Sequence, residues 1–172
     1  MEAYESTDEE ILVISMADGL SGTYQSAVGA KESVANGDKI HVINTRTLCG
    51  PHRYLLNRAV ELRAEGKTLE EIKAILDVAI NDHKSFLIPR DFDFLKRGGR
   101  MTPTAAAIGS MLKIVPLMTQ TEDGGRLEKA GIKRTIKAAL LETIKWFSEH
   151  NYQKGYRFYV THAGAPEDAQ LA

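Results

Sequence analysis

Ile11-Leu-Val-Ile-Ser15, followed by Gly19-Leu-Ser-Gly-Thr-Tyr-Gln-Ser-Ala27, decides the fold class of this chain. The first piece is a short apolar run rich in branched residues, the pattern of a buried strand. The second carries glycines and small hydroxyl residues that can close a tight loop and open a helix. In an open α/β sheet such a junction lies at the carboxyl end of a strand, where ligands bind. The first N–H groups of a helix have no intrahelical acceptor, and the macrodipole adds partial positive charge there. Ser21 and Thr23 add hydroxyl donors at the same place. The junction therefore suits a phosphate or a carboxylate. Simple capping, with Ser21 as N-cap, is the other reading of the same residues.

Outward from this junction, strand and helix patterns alternate, which predicts an α/β fold with mainly parallel strands. The first helix is expected from about Gly22 to Val34 and is stopped by Asn36-Gly37-Asp38. Ile40-His-Val-Ile43 reads as the second strand. Thr45 to Pro51 reads as a loop, with Pro51 in the first turn of a helix that runs to about Ala64. Thr68-Leu-Glu-Glu71 matches a capping box. The helix behind it carries Ile72, Ile75, Leu76 and Ala79 on one face.

Ser85-Phe-Leu-Ile-Pro89 is a further strand candidate, and beyond it the character changes. Residues 1–90 are read as a partial N-terminal α/β lobe and residues 91–172 as a partial, smaller lobe. In the latter, Asp93-Phe-Leu-Lys-Arg-Gly-Gly-Arg100 is a short helix ended by a glycine pair. Thr104 to Leu112 reads as a helix almost without charge. Lys113-Ile-Val-Pro-Leu-Met118 and Arg126-Leu-Glu-Lys-Ala130 flank Asp123-Gly124-Gly125, a hairpin pattern. Pro116 calls for an edge position or a point where the strand donates no bond. A longer helix shows Ile136, Leu140, Ile144 and Phe147 as its apolar stripe. Tyr156-Arg-Phe-Tyr-Val160 reads as a last strand, running into Thr161-His-Ala-Gly-Ala-Pro166.

The bulk numbers narrow the function classes. Of the 172 residues, 43% are hydrophobic and 26% charged, as in ordinary globular domains. A net charge of −1 argues against a broad nucleic-acid or membrane surface. The single cysteine, Cys49, allows no internal disulfide and fits a reducing compartment. No apolar run approaches the roughly 20 residues needed to span a bilayer, and Met1 to Glu10 is too acidic for a signal peptide. A cytoplasmic protein without stable membrane insertion is the expectation.

Catalytic patterns are incomplete. Gly19-Leu20-Ser21-Gly22-Thr23 has threonine where a hydrolase elbow has its second glycine. No Gly-Lys-Ser/Thr follows a glycine-rich loop, so the P-loop pattern fails. The five histidines show no metal spacing and read as surface or capping residues; only His162, in a loop after a strand, sits where a sheet binds ligands. Cys49 reads as a small buried thiol. Lys96-Arg97-Gly-Gly-Arg100 is either a solvated helix end or a docking patch for an acidic partner. Thr102 to Met118 is either an ordinary buried helix or a wall for an alkyl chain. A polar cradle together with an apolar wall suits an amphiphile with an anionic head.

These residues resemble the DegV family of bacterial fatty-acid-binding proteins. The resemblance rests on Gly19 to Ala27, on Phe94-Leu-Lys-Arg-Gly-Gly-Arg-Met101 with Thr104-Ala-Ala-Ala-Ile-Gly109 and Leu112-Lys-Ile-Val-Pro116, on the Asp123-Gly124-Gly125 turn, on Lys133-Arg134-Thr135, and on Tyr159 to Glu167. It covers the chain from about Glu10 onward. It implies a two-lobed α/β fold holding a long-chain fatty acid, with no cofactor, no metal and no catalytic residue. It places the carboxylate at the helix N-terminus of Ser21, Gly22 and Thr23; His162, at the ligand-binding end of a strand, is a further ligand-binding candidate. Ile108, Met111, Ile114 and Leu117 are the expected tail wall. It implies a separate fatty acid kinase as partner, met through Arg100 and Arg134.

The family pattern also has an earlier Thr-Asp-Ser-type strand end and a later His-Thr-Gly-Pro-Gly-type loop, which this sequence does not show. The expectation is a chain shortened at both ends, with exposed sheet edges that favour self-association. Two rival readings follow from the same residues. One is a small phosphotransferase or hydrolase with Ser21 as nucleophile or phosphate ligand and His162 as base. The other is a truncated product that folds and binds nothing.

Overall fold

The computed structural model describes residues 9–108, 114–152 and 155–172. The chain divides into two compact units, Met1–His83 and Lys84–Ala172.

In the first unit, β1 (Ile11–Ser15) and β2 (Ile40–Asn44) pair in parallel, Ile11 beside Ile40 through Ser15 beside Asn44. A parallel pair needs a crossover, and α1 (Thr23–Glu32) supplies it. Helices α2 (Cys49–Ala64) and α3 (Leu69–Ile80) pack on each other. Leu55, Ala59 and Leu62 of α2 meet Ile72, Leu76 and Ile80 of α3, with Leu12, Ile14 and Ile43 packed against them. Successive strand residues point to opposite faces. Leu12 and Ile14 face this core, so Ile11, Val13 and Ser15 face the other way. Helix α1 packs on both strands yet contributes nothing to that cluster, which sets it over the second face.

The capping box forms as expected. Glu71 N–H donates to Thr68 Oγ1 at 3.3 Å and Thr68 N–H donates to a Glu71 carboxylate oxygen at 2.9 Å. Helix α2 begins two residues before Pro51, at Cys49, whose φ is +49°. Cys49 is exposed rather than buried. It stands at the open end of the helix, before the first residue that reaches the core.

In the second unit, β3 (Phe86–Leu87), β4 (Val115–Gln120) and β5 (Leu127–Lys133) form an antiparallel sheet in that order. The hairpin turns through Asp123. Pro116 lies in the middle strand, but β3 pairs only with Met118 and Thr119. At Pro116 the strand has its neighbour, Ile132, on one side only, the edge-like position that a proline tolerates. Short helices α4 (Phe92–Arg97) and α5 (Pro103–Ala106) precede the hairpin. Helix α5 is shorter than the Thr104–Leu112 pattern suggests, and residues 109–113 lie outside the described residues.

Helix α6 (Ile136–Glu149) packs on β4 and β5. Its buried residues are Ala139 and Thr143, while Ile144 is 55% exposed, so the inward face is rotated from the predicted stripe. Phe147, from that stripe, and Trp146 join Phe86 in edge-on ring contacts with centroids 5.4 to 5.6 Å apart, the arrangement that aromatic quadrupoles favour. Tyr156 to Val160 forms no strand. A period-two pattern becomes a strand only when a neighbour takes its backbone bonds. Phe158 stacks edge-on to Phe147 at 5.3 Å instead. Helix α7 (Pro166–Leu171) is tied to the unit by an ion pair between Arg90 and Asp168.

Candidate functional site

The β1–α1 junction is built by a turn that folds back on itself. Leu20 N–H and Ser21 N–H both donate to Ala17 O, at 3.1 and 3.0 Å. This returns Ser21 to the end of β1. Gly22, not Ser21, is the N-cap residue of α1. The first intrahelical bond runs from Ser26 N–H to Gly22 O, 2.9 Å, so the N–H groups of Tyr24 and Gln25 precede the helical ladder. Ser21 Oγ and Thr23 Oγ1 are hydrogen-bonded at 2.7 Å, and Thr23 N–H donates to Ser21 Oγ at 3.3 Å. Ser21 is half-buried while Gly22 and Thr23 are exposed. The three residues thus form one open, positively polarised rim with two coupled hydroxyls. Such a rim can take an anionic oxygen without any charged side chain.

The loop after β2 supports this rim. Thr45 donates from both N–H and Oγ1 to Ser15 O, each at 2.9 Å, and Ala17 N–H donates to Thr47 O at 2.9 Å. Thr45 and Thr47 are fully buried. Ser15 is 2% exposed, and its hydroxyl has no hydrogen-bond partner among the described residues. Sequence reading missed Ser15. As the last letter of an apolar run it looks like a strand end, and only the face alternation of β1 hints that it points toward α1.

The second unit holds the other predicted positions. Gly99 has φ +71°, a conformation that favours glycine. The Arg100 guanidinium donates to Gly98 O, and Arg126 donates to Gly99 O at 2.9 Å. The turn is further held to β5 by Leu127 N–H to Arg100 O and Thr102 N–H to Leu127 O, both 2.8 Å. Arg126 is a second residue the sequence did not mark, because its partner lies 27 positions away. Arg134 is exposed between β5 and α6, where Thr135 caps α6 by accepting from Ala138 N–H at 3.1 Å. The hairpin turn is fastened by Asp123. Donation from the Thr121 hydroxyl and then the Gly125 amide holds its carboxyl below the ordinary range.

Ile108 and Ile114 are half-buried, and Leu117 is 1% exposed within β4. Met111 lies outside the described residues. His162 is exposed in the loop before α7. The structure therefore brings Ser21, Gly22 and Thr23 into one loop. It places Arg100, Arg134, Ile108, Ile114, Leu117 and His162 in the other unit. Among the described residues no group of three or more His, Cys, Asp or Glu side chains could hold a metal ion, and no helix is long and apolar enough to cross a membrane.

Known proteins show the same architecture. The family model described as uncharacterised protein, DegV family, matches residues 1–172. The DegV domain-containing protein YteA of Lactococcus lactis is 32% identical over 170 residues, covering 97% of this chain and 58% of that protein. The chain thus spans under two thirds of this relative. A DegV family protein from Thermus thermophilus, solved for its fatty acid binding, is 35% identical, with a TM-score of 0.71 over 86% of this chain and 51% of that one. A DegV family protein from Eubacterium eligens loaded with heptadecanoic acid is 26% identical, with a TM-score of 0.73 over 84% of this chain and 53% of that one. The α/β class is shared with these two-lobed structures, and the chain belongs to the DegV family.

Proposed function

We propose that this chain binds a long-chain fatty acid and presents it, as a non-catalytic cytoplasmic carrier, to a separate fatty acid kinase. The carboxylate is assigned to the Ser21 hydroxyl, the Gly22 amide and Thr23. The observation that carries this reading is the coupled hydroxyl pair at the open end of α1. It is supported by the fatty acids associated with the Thermus and Eubacterium relatives.

The physical account has two parts. Each methylene removed from water contributes about 0.8 kcal/mol, so the tail supplies most of the affinity. Desolvating the carboxylate opposes binding, and charge-assisted bonds from hydroxyl and amide groups offset that cost. The tail is assigned to Ile108, Met111, Ile114 and Leu117, and His162 to the head group. Arg100 and Arg134 are assigned to the kinase encounter; the Gly98 carbonyl holds the Arg100 guanidinium, and Arg126 fastens the adjoining Gly99 carbonyl.

Calorimetric titration of the delipidated chain with palmitate tests this reading. Saturable binding at one acid per chain is the expected result. Absence of saturable binding overturns it.

A further inference from the structure

The orphaned hydroxyl at the end of β1 has a use that the cradle alone does not supply. Ser15 is almost completely buried, and its Oγ has no partner among the described residues. Burying a hydroxyl without a hydrogen bond costs folding free energy, and buried polar atoms left so are uncommon. The Ser15 carbonyl already accepts from Thr45 N–H and Thr45 Oγ1, and Thr47 O accepts from Ala17 N–H.

The direction of the side chain follows from β1. Leu12 and Ile14 face the α2–α3 core, so Ser15 faces the side covered by α1. The turn closed by Leu20 and Ser21 on Ala17 O brings the N-terminus of α1 back to the end of the same strand. The buried, unsatisfied hydroxyl is thus on the α1 side of β1, at the strand end to which the turn returns Ser21.

We infer that Ser15 is a further head-group ligand: its hydroxyl donates to the carboxylate, directly or through one bound water, from the end of β1. This deepens the fatty-acid reading and rests on it. The bound acid supplies a partner to a hydroxyl that has none among the described residues. Ser15 then contributes to recognition of an acid rather than of an alkyl chain in general.

The test compares wild type, Ser15→Ala, Ser15→Cys and Ser21→Ala in binding palmitate and methyl palmitate, with thermal melts of the ligand-free proteins. Losing a hydrogen bond to a charged group predicts about tenfold weaker palmitate binding for Ser15→Ala and Ser15→Cys. Methyl palmitate affinity should be unchanged, and the ligand-free Ser15→Ala protein should melt no lower than wild type. Equal palmitate affinity in wild type and Ser15→Ala, with Ser21→Ala still impaired, overturns the role of Ser15 and leaves the fatty-acid reading standing. A lower ligand-free melting temperature with equal losses for acid and ester also overturns it, by showing a packing role. Failure of the wild type to bind palmitate overturns both.

Discussion

Ser21 Oγ and Thr23 Oγ1 lie 2.7 Å apart, and the Thr23 amide points its N–H at the same Ser21 oxygen. With Thr23 as donor in both contacts, the Ser21 proton is free to donate outward to a carboxylate. In the proposed site Ser21 contacts the ligand and Thr23 orients it. Replacing Ser21 by alanine should weaken palmitate binding about ten- to a hundredfold, the range for a lost bond to a charged group. Thr23→Ala should cost less. Titration calorimetry checks the order, and an equal or larger loss for Thr23→Ala would contradict this division.

Gly22 separates folding from binding. Its φ is −70°, and a Cβ added there meets nothing within 4 Å. Gly22→Ala should therefore leave thermal stability unchanged or slightly raised, since alanine loses less backbone freedom on folding. Palmitate affinity should fall, because the methyl group intrudes where the carboxylate approaches the backbone. Unchanged affinity would remove the Gly22 amide from the site. Gly37 is the contrast. A Cβ there would stand 2.2 Å from Lys31 O, so Gly37→Ala should destabilise the first unit clearly in urea titration, with no direct bearing on the cradle.

Leu117 has two roles open to it, strand core and tail wall. It is 1% exposed in β4. Leu117→Ala should cost about 2–5 kcal/mol of stability, as large-to-small changes in cores do. Denaturant unfolding of the ligand-free protein measures this. A loss below about 1 kcal/mol would indicate a side chain facing an open tunnel rather than packed atoms.

The ion pair between Arg90 and Asp168 anchors α7 and makes that anchor acid-sensitive. The guanidinium of Arg90 holds the Asp168 carboxyl below its ordinary value of 3.8. A depressed folded-state value means that the contribution is present above the unfolded value and is lost as pH falls through the folded one. Amide protection factors in residues 166–171, which divide out the intrinsic pH dependence of exchange, should be steady near neutrality and fall below about pH 4. In Arg90→Ala they should be low throughout. Identical pH dependence in the two proteins would show that α7 is held by something else.

Much of the first unit was legible because it is local. The branched run of β1, the small-residue loop and the Thr68–Glu71 capping box each lie within a few residues, where propensity and hydrogen bonding act directly. What escaped depends on distant partners. Arg126 finds the Gly99 carbonyl only once β5 is formed. Ile144 turns outward because α6 presents Ala139 and Thr143 to the sheet, where small side chains allow close approach. Tyr156 to Val160 has a strand pattern but no strand beside it to complete a ladder. Cys49 looked like core because small thiols usually are, yet the strained start of α2 leaves it outside. Ser15 escaped because a serine at a strand end carries no sign of whether its hydroxyl is satisfied.

The most direct test of the central claim is native mass spectrometry of the purified chain and of Ser21→Ala, prepared in parallel, with identification of released lipid. A mass increment of one long-chain fatty acid is expected on the wild type, with its loss or marked depletion in Ser21→Ala. An unliganded wild type that also fails to take up added palmitate, or equal lipid retention in both proteins, would contradict it.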